Sequence, residues 1–391
     1  MLEMMLSLKK KKAAAKVRKV IAGTNTLGAL SVTDNLYMRG DGNQGIGNGS
    51  TAAVTGMWAL VNTNVADVWN AGTATVILKR DGTWWYTGNS SFTGVNNGVS
   101  TTWVNVTDKF TAIAGKSITK VVLHTRFIAI LTSDGLVWGM GFNNTGQFAT
   151  GATTSLTTLT QLTGFTTGNL DIAAGPNAQT LFALKNDQAL YGAGDSSYGE
   201  LGNTNVTNST LVKTATDVLK FWLGYNCVFA VRTAGLSVRG RTFSGQLGNN
   251  ITGAASDYST DLKQITTPRI YNAPSAIWSG TYQTHMLFEK QMYFTGSQGP
   301  AQSSSTGAAP WNTAQKTFNA FPAGSFPSGS LKPEAEGGGV LIKSPNSYSQ
   351  MYMLFGGLLY GAGNYSATYD LLPGLKSNSL GMSVLDLTGV V

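Results

Sequence analysis

The stretch AILTSDGLVWGMGFNNTGQFATG, residues 129–151, decides the fold of this chain. Its first part alternates apolar and polar residues on both sides of Ser133-Asp134-Gly135. This pattern predicts a β-hairpin, because Asp and Gly adopt the backbone angles of a tight turn. Its second part is rich in small and polar residues around Gly146-Gln147-Phe148. The stretch therefore predicts two paired strands followed by a glycine-rich loop.

The same hairpin pattern occurs seven times along the 391 residues. Every copy ends on a glycine, and these closing glycines are Gly40, Gly88, Gly141, Gly194, Gly240, Gly296 and Gly363. Neighbouring closing glycines are 46 to 67 residues apart. Repeats of this length indicate a propeller or a solenoid, because one such unit buries its apolar face only against its neighbours.

The glycine-rich element is also repeated, as DGNQGIGNG (41–49), DSSYGELGN (195–203) and RTFSGQLGN (241–249). A hairpin followed by this element resembles the repeat of the regulator-of-chromosome-condensation (RCC1) family, which forms seven-bladed β-propellers. The resemblance extends from residue 22 to the C-terminus and is weak near Gly296, where the Gly-Gln-Leu-Gly element is missing. It implies an all-β fold, a seven-bladed β-propeller.

The two ends of the chain predict how the ring closes. Most hairpins follow one further strand, such as VADVWNAG or ITKVVLH, whereas the first hairpin follows only IAGTNTLG. The chain ends with MSVLDLTGVV (382–391), an upstream strand without a hairpin after it. We therefore predict that the N- and C-terminal strands close one blade, with residues 384–387 pairing beside the hairpin at 30–38. Such closure removes the open sheet edges that invite aggregation.

Positive charge is concentrated before the first repeat. The chain carries 27 basic and 19 acidic side chains, a net charge of +8, and residues 1–20 hold seven of the basic residues and only Glu3. We predict a basic N-terminal arm over 1–21, ahead of a propeller over 22–391. The basic residues predicted to bind a partner are Lys9, Lys10, Lys11, Lys12, Lys16, Arg18 and Lys19. Contact with nucleic acid, nuclear targeting and a solvated tail are the alternatives; the near-neutral body argues against nucleic acid.

A long segment, residues 297–339, separates the last two hairpins. Its Ser, Ala, Gly and Pro content predicts an insertion loop. Spaced aromatic residues in such a loop favour a partner-binding role, and these are Trp311, Phe318, Phe321 and Phe326. The alternative is an ordinary loop whose aromatic residues pack against their own propeller.

The residues that carry common catalytic chemistry are scarce. The chain has one cysteine, Cys227, and two histidines, His124 and His285, which we expect at corresponding strand positions in packing roles. Asp81 and Asp134 precede glycine in hairpin turns, so we interpret them as turn formers. No catalytic residue, metal site or cofactor is predicted. A carboxylate pair of the glycosidase type is the alternative, drawn from Asp81, Asp134, Asp187, Asp195, Glu200, Glu289, Glu334 and Glu336.

Composition supports a structural or binding protein rather than an enzyme. Only 12% of the residues are charged, about half the usual share of roughly 25%, and Gly, Asn and Thr replace them. We expect no signal peptide, because the apolar residues of the N-terminus precede its basic ones, and no membrane span, because no apolar run of about 18 residues is present. We expect a tailed-bacteriophage virion component (tail, collar or fibre), made in the host cytoplasm and held by its arm among other virion proteins in a homo- or hetero-oligomer, with a host surface receptor as a further partner. A bacterial surface adhesin or lectin-like propeller, and an RCC1-type regulator that binds a small GTPase or chromatin, are the alternatives.

Overall fold

The structure, a computed structural model, consists almost entirely of β-strands. It describes residues 17–175, 179–242, 245–249, 258–266, 273–279, 283–296, 315–320, 328, 330, 340–343, 350–355, 358–363, 379–385 and 390. Three short 3-10 helices, Ser91–Thr93, Thr107–Ile113 and Thr163–Phe165, are the helices of this described part.

The strands form seven four-stranded sheets in chain order. Sheet 1 consists of β1 (Val17–Ala22), β2 (Thr26–Ser31), β3 (Leu36–Gly40) and β4 (Val54–Asn62). Sheet 2 consists of β5 (Val65–Asn70), β6 (Ala74–Lys79), β7 (Trp84–Asn89) and β8 (Val99–Asn105). Sheet 3 consists of β9 (Ile118–Leu123), β10 (Phe127–Thr132), β11 (Val137–Gly141) and β12 (Leu156–Gln161). Sheet 4 consists of β13 (Asn169–Ala174), β14 (Thr180–Lys185), β15 (Leu190–Gly194) and β16 (Val212–Ala215).

The remaining sheets follow the same order. Sheet 5 consists of β17 (Val218–Gly224), β18 (Cys227–Arg232), β19 (Gly235–Arg241) and β20 (Tyr258–Gln264). Sheet 6 consists of β21 (Ala276–Ser279), β22 (Gln283–Phe288), β23 (Gln291–Gly296) and β24 (Gln315–Ala320). Sheet 7 consists of β25 (Val340–Lys343), β26 (Gln350–Phe355), β27 (Leu358–Gly363) and β28 (Ser379–Val384).

The sheets are arranged as an all-β propeller. Within each sheet, strands consecutive in the chain pair in antiparallel fashion. First strands contact one another from sheet to sheet (β1 with β5, β5 with β9, β9 with β13, β13 with β17, β17 with β21), and β1 also contacts β25. The first strand of each sheet is therefore the inner strand, beside the central channel of a propeller. We call the end that carries the turns between second and third strands the turn end, and the opposite end, with the segments after the closing glycines, the loop end.

The hydrophobic core lies between neighbouring sheets. Val20, Leu27 and Tyr37 of sheet 1 pack with Tyr352 and Leu359 of sheet 7, all buried. Comparable clusters join sheets 1 and 2, 3 and 4, and 4 and 5. The apolar face of each of these sheets is thus buried against the next sheet, as the repeat pattern predicts.

The repeated glycine-rich element links one sheet to the next. The carbonyl oxygen of Gly45 accepts a hydrogen bond from the Thr75 hydroxyl of sheet 2 at 2.6 Å. The carbonyl oxygen of Gly245 accepts one from the Thr295 hydroxyl of sheet 6 at 2.8 Å. Both threonines are fully buried. The element therefore has a structural role between neighbouring sheets.

The prediction that the N- and C-terminal strands close one blade is wrong. β1 supplies the inner strand of sheet 1, with Val17 to Ala22 pairing along β2, and β28 pairs with β27 in sheet 7. Residues near 384 therefore do not pair beside the hairpin at 30–38. Each sheet takes all four strands from one continuous segment, so the ring closes through contact between sheets 7 and 1.

The structure also corrects the predicted boundaries of the N-terminal arm and of the insertion loop. The arm was predicted over 1–21, but β1 begins at Val17, because the alternation in VRKVIA buries Val17 and Val20 while Arg18 faces solvent. The insertion loop was predicted over 297–339, but β24, QKTFNA, lies within it and pairs with β23. Phe318 is therefore a strand residue.

Candidate functional site

Five charged residues occupy one register position on five consecutive inner strands. They are Lys19, Asp67, Lys120, Asp171 and Lys220, on β1, β5, β9, β13 and β17. Each comes directly after a β-bulge and pairs with a leucine or valine of the second strand. The sign alternates from sheet to sheet, and we call this set the charge ladder.

The ladder forms two equivalent ion pairs. Lys19 Nζ lies 2.7 Å from Asp67 Oδ1, and Lys120 Nζ lies 2.6 Å from Asp171 Oδ1. Each aspartate Oδ1 also accepts the N–H of the following residue at 2.8 Å. Such partly exposed pairs each contribute about 0–1 kcal/mol. The ladder therefore sets the charge pattern of the channel wall more than it stabilises the ring.

Lys220 ends the ladder, and among the described residues it has no carboxylate partner. Its Nζ donates to the main-chain oxygen of Ser275 at 3.3 Å and lies 4.9 Å from the centre of the Trp222 ring. The equivalent residue of sheet 6 is Ala276, which pairs with Leu287 as Lys220 pairs with Val231. Partial burial lowers the pKa of Lys220, and the nearby charge of Asp171 opposes this shift. Among the described carboxylates, none lies within ion-pair distance of Lys220.

The bulge residue before each ladder position faces solvent to different degrees. In sheets 4 and 5 this residue is a leucine, Leu170 and Leu219, with 60% and 52% of its surface exposed. Their strands, β13 and β17, are in contact. Two large apolar side chains therefore lie at matching positions of neighbouring inner strands, at the turn end.

Arg18 is the bulge residue of sheet 1, and it joins sheets 1 and 2. Its Nη2 donates to Asp34 Oδ1 and to the main-chain oxygens of Val65 and Ala66, each at 2.8 Å. Arg80 binds the same carboxylate at 2.8 and 2.9 Å. The hydrogen bonds from Arg80 and Arg18 hold the pKa of Asp34 below its usual range, although slight burial opposes them. Two guanidinium groups on one carboxylate leave this corner of the turn end positive.

A buried acid and a buried base face each other between sheets 4 and 5. Glu200 and Arg239 are each 3% exposed. Arg239 donates from Nε to the Glu200 main-chain oxygen at 2.8 Å and from Nη1 to that of Thr214 at 2.9 Å. Burial raises the pKa of Glu200 to about 7, with Asp195 adding to the shift and Arg239 opposing it. Burial likewise lowers the pKa of Arg239 to about 10, so loss of water outweighs the attraction between the two charges.

Asp195 and Glu200 are close enough to interact, but this pair is poorly placed for catalysis. Glu200 is buried, and its Oε2 accepts the Tyr198 N–H at 3.1 Å. Asp195 Oδ1 accepts the Ser197 N–H at 2.8 Å within its own loop. A glycosidase pair must reach a substrate from both sides, and the Glu200 side chain is buried between neighbouring sheets.

The aspartates of the hairpin turns are turn formers, as predicted. Asp81 Oδ1 accepts the Thr83 N–H at 3.0 Å and the Thr83 hydroxyl at 2.6 Å. Asp134 Oδ1 accepts the Thr132 hydroxyl at 2.6 Å. Asp187 Oδ1 accepts the Ala189 N–H at 3.0 Å. Each carboxylate is used by its own turn.

The two histidines are buried, in agreement with a packing role, but they are not at corresponding positions. His124 precedes β10, its Nδ1 accepts the Arg126 N–H at 3.2 Å, and its ring stacks on Phe127. His285 lies inside β22 and pairs with Trp278. Burial lowers the pKa of His124 to about 4, with the charge of Arg126 acting in the same direction.

Most residues predicted to bind a partner lie outside the described ranges: Lys9, Lys10, Lys11, Lys12, Lys16, Trp311, Phe321 and Phe326. Arg18 and Lys19 are described, and both bind aspartates of the propeller, Asp34 and Asp67, instead of belonging to a free arm. The sequence contained the signal for the ladder, a charge at the third residue of VRKVIA, VADVWN, ITKVVL, NLDIAA and VLKFWLG. It was missed because the ladder appears only when these strands are aligned by their bulges.

In the part of the chain that the structure describes, no helix has the length and apolar composition of a membrane span. No group of three His, Cys, Asp or Glu residues there is arranged to hold a metal ion.

Comparison with known proteins identifies relatives in fold. No family model matches the sequence. Yeast RCC1 (Prp20), solved bound to Kap60, aligns with a TM-score of 0.60 at 15% identity, over 85% of this chain and 79% of that chain. Prp20p of Saccharomyces cerevisiae, studied with Gsp1p and histones, aligns with a TM-score of 0.59 at 16% identity, over 79% and 78%. Human WBSCR16 aligns with a TM-score of 0.60 at 16% identity, over 78% of this chain and 81% of that chain. The propeller is thus similar to RCC1-like propellers in fold.

Proposed function

We propose that this chain is a non-catalytic, protein-binding propeller held in a larger assembly by its basic N-terminal segment, and specifically a virion component of a tailed bacteriophage. In this proposal each of the seven sheets is one blade of a single closed ring, which serves as a rigid module. The observation that carries the proposal lies at β1. Arg18 and Lys19 bind Asp34 and Asp67 of the propeller, whereas the lysines of residues 9–16 precede β1 in the sequence.

The position of β1 supports an anchoring role for those lysines. Val17 pairs with Ser31, the last residue of β2, so the chain enters the ring at the turn end. The corner formed there by Arg18, Asp34 and Arg80 is itself positive. A partner with an acidic surface would meet both sources of charge at one end of the ring, and charge complementarity of this kind steers and orients association.

The fold supports a binding role for the ring. Of the propellers named above, yeast RCC1 (Prp20) was solved bound to Kap60 and was studied with Gsp1p and histones. Propellers also host many unrelated functions. The virion assignment therefore rests on the ion-poor, Asn- and Thr-rich body and on the basic N-terminus, not on the fold.

An RCC1-type regulator is the second candidate, because the same fold and a basic N-terminus both suit it. It predicts that the purified full chain binds histones or accelerates the release of labelled GDP from a small GTPase. The virion proposal predicts neither. A surface adhesin or lectin-like propeller would instead retain binding to intact host cells without the N-terminal lysines.

The virion proposal is tested by particle association. The tagged full chain is expressed during phage replication, and particles are purified by density gradient. We expect the chain in the particle fraction, and we expect the variant K9A/K10A/K11A/K12A to be reduced fivefold or more while its propeller stays folded. Because exposed charges are screened over about 8–10 Å at physiological salt, raising the salt concentration should release the wild-type chain.

The matched control is R126A/R241A, which removes two basic residues of the loop end that lie over the aromatic rings of Phe142 and Tyr198. It should associate with particles as the wild type does. A full chain that sediments only as free protein would contradict the virion proposal.

A further inference from the structure

We propose that Asn97 is a modification site, whose side-chain amide is lost when the main-chain nitrogen of Gly98 attacks it, so that the loop between β7 and β8 gains a negative charge. Water is the co-reactant, and the reaction needs no cofactor. This modification goes beyond the proposed function and does not depend on it. The exposure of Asn97, the hydrogen bonds of its loop and a second Asn-Gly pair in the chain together identify the site.

An Asn-Gly pair can close a five-membered ring. The Gly98 nitrogen loses its proton to hydroxide and bonds to the side-chain carbon Cγ of Asn97, and the side-chain –NH2 takes a proton from water and leaves as ammonia. Water then opens the cyclic imide at either carbonyl, which gives aspartate or isoaspartate. Glycine favours the attack because it has no Cβ and adopts many backbone angles. The chain contains two such pairs, Asn48-Gly49 and Asn97-Gly98.

Asn97 lies in an exposed part of its loop. Residues 95–98 are all exposed, and the side chain of Asn97 makes no hydrogen bond with the described residues. The Gly98 N–H donates to Asn96 Oδ1 at 3.3 Å, which is a long bond to an exposed side chain. A Cβ on Gly98 would meet nothing within 4 Å, so the space beside the attacking nitrogen is open to water. Both reacting groups are therefore accessible.

The other Asn-Gly pair is held by neighbouring main chain. The Gly49 N–H donates at 2.8 Å to the main-chain oxygen of Thr101 on β8, and Asn48 Oδ1 accepts the Ser50 N–H at 3.2 Å. Hydroxide reaches the Gly49 proton only after the glycine-rich loop separates from sheet 2, which is a local opening that costs free energy. Asn48 and Asn97 are both exposed, so the bond from Gly49, not burial, distinguishes the two pairs.

The reaction changes both the charge and the main chain of the loop. Residues 90–98 contain no charged side chain, so the product adds a negative charge to a neutral segment. Ser90 binds the main chain on both sides of the reacting bond. Its Oγ accepts the Asn97 N–H at 2.8 Å, and its N–H donates to the Gly98 oxygen at 3.3 Å. Isoaspartate adds one carbon to the main chain between these two bonds, so the loop cannot keep both in their present geometry.

Peptide mapping of the full chain tests the assignment. The folded protein is incubated at mildly alkaline pH and digested under acidic conditions, and each asparagine is scored by the mass increase that replacement of –NH2 by –OH gives. We expect Asn97 to react at least tenfold faster than Asn48. In the chain unfolded in urea, the two sites should react at similar rates, because glycine follows both. Equal rates in the folded chain would overturn the proposal. A tenfold difference that persists in urea would also overturn it, because local sequence would then be the cause.

The variant N97Q gives a second readout. A glutamine must close a larger ring and therefore reacts far more slowly, and a change of this size at an exposed loop position should leave the fold intact. Cation-exchange chromatography of the incubated wild-type chain should show a growing fraction with less positive charge. N97Q should show at least fivefold less of this fraction, whereas the matched control N48Q should match the wild type. An unchanged fraction in N97Q would contradict the assignment to Asn97.

Discussion

Glu200 stands at a position where two other repeats carry glutamine. Gln147 and Gln246 are fully buried, and Glu200 occupies the same place in its loop at 3% exposure. Burial disfavours the charged carboxylate and raises its pKa from 4.5 to about 7. The folded state therefore binds this proton more tightly than the unfolded state. The contribution of Glu200 protonation to the free energy of unfolding is therefore fully present below pH 4.5 and is lost as the pH rises through 7.

We predict that E200Q removes this pH dependence. Each pKa unit corresponds to 1.36 kcal/mol, so the shift amounts to roughly 3 kcal/mol of unfolding free energy when Glu200 is ionised. Thermal melting from pH 4.5 to 8 should show the wild type losing stability relative to E200Q as the pH rises. D217N, which changes an exposed carboxylate, should keep the wild-type profile. Parallel profiles for E200Q and the wild type would show that Glu200 is not buried as described.

The residues whose partners are close in sequence could be predicted. Asp81 and Asp134 accept hydrogen bonds from residues two positions away, so their role follows from the turn itself. Lys19 and Asp67 are 48 positions apart in the sequence. Their pairing depends on the bulge in each inner strand and on the order of the sheets, which alternation of apolar residues does not reveal.

A glycine closes each hairpin, and at Gly194 the backbone beside the paired strand leaves no room for a Cβ atom. Gly194 has a φ of +115°, and a Cβ there would lie 2.1 Å from the main-chain oxygen of Gln179. Only glycine allows both that backbone angle and that close approach. Gly40, Gly88, Gly141 and Gly240 also combine a positive φ with a close main-chain oxygen, so glycine at the ends of these hairpins is a packing requirement of the sheet.

We predict that G194A unfolds or strongly destabilises the propeller, while G151A is tolerated. Gly151 also has a positive φ, +79°, but its Cβ would meet nothing within 4 Å. G151A should cost about 1–2 kcal/mol from backbone strain alone. G194A should cost roughly 3 kcal/mol more, the scale of severe packing errors. Chemical denaturation of both variants measures the difference, and equal costs would contradict the close approach.

Strand β1 could not be predicted because its charges resemble those of the preceding segment. VRKVIA follows a lysine-rich run, so Arg18 and Lys19 were assigned to the arm, although Val17 and Val20 are buried. The same pattern of a buried residue, two exposed or half-exposed residues and a buried residue recurs in NLDIAA and VLKFWLG. Comparison with those two strands identifies β1 as an inner strand.

We predict opposite results for two N-terminal deletions. Removing residues 1–16 leaves β1 in place, so the propeller should melt as the full chain does. Removing residues 1–22 takes away an inner strand and uncovers Leu27, Tyr37 and Tyr352 of the core, so it should give aggregated or unfolded protein. Size-exclusion chromatography and circular-dichroism melting distinguish the outcomes. A folded, monomeric product of the longer deletion would mean that β1 is dispensable.

The order of the repeats could be predicted from the sequence, but the closure of the ring could not. Seven closing glycines correspond to seven sheets in chain order. Both chain ends carry apolar, strand-like segments, and the repeat pattern does not determine at which strand a sheet begins. Pairing of β1 with β2 and of β28 with β27 places that boundary between sheets 7 and 1.

We predict that a cavity at this boundary affects both ends of the chain. Leu359 and Leu190 are fully buried and occupy the same position of their repeats, at the boundary and between sheets 4 and 5 respectively. L359A and L190A should each cost about 2–5 kcal/mol. Hydrogen exchange in L359A should rise in sheet 1 as well as sheet 7, because Leu359 packs in one cluster with residues of both sheets. Exchange confined to sheet 7 would argue against its packing on sheet 1.

The boundary between sheets 7 and 1 also decides how the ring responds to force. Tension applied between the two termini would load this boundary in particular, where side-chain packing of Leu27, Tyr37, Tyr352 and Leu359 joins the two sheets, and rupture would begin there. Tension applied through the N-terminus alone would leave the boundary unloaded and act first on β1, which is held along its length by hydrogen bonds to β2. An attachment through one terminus is therefore the mechanically stronger way to mount this ring on a moving or strained particle.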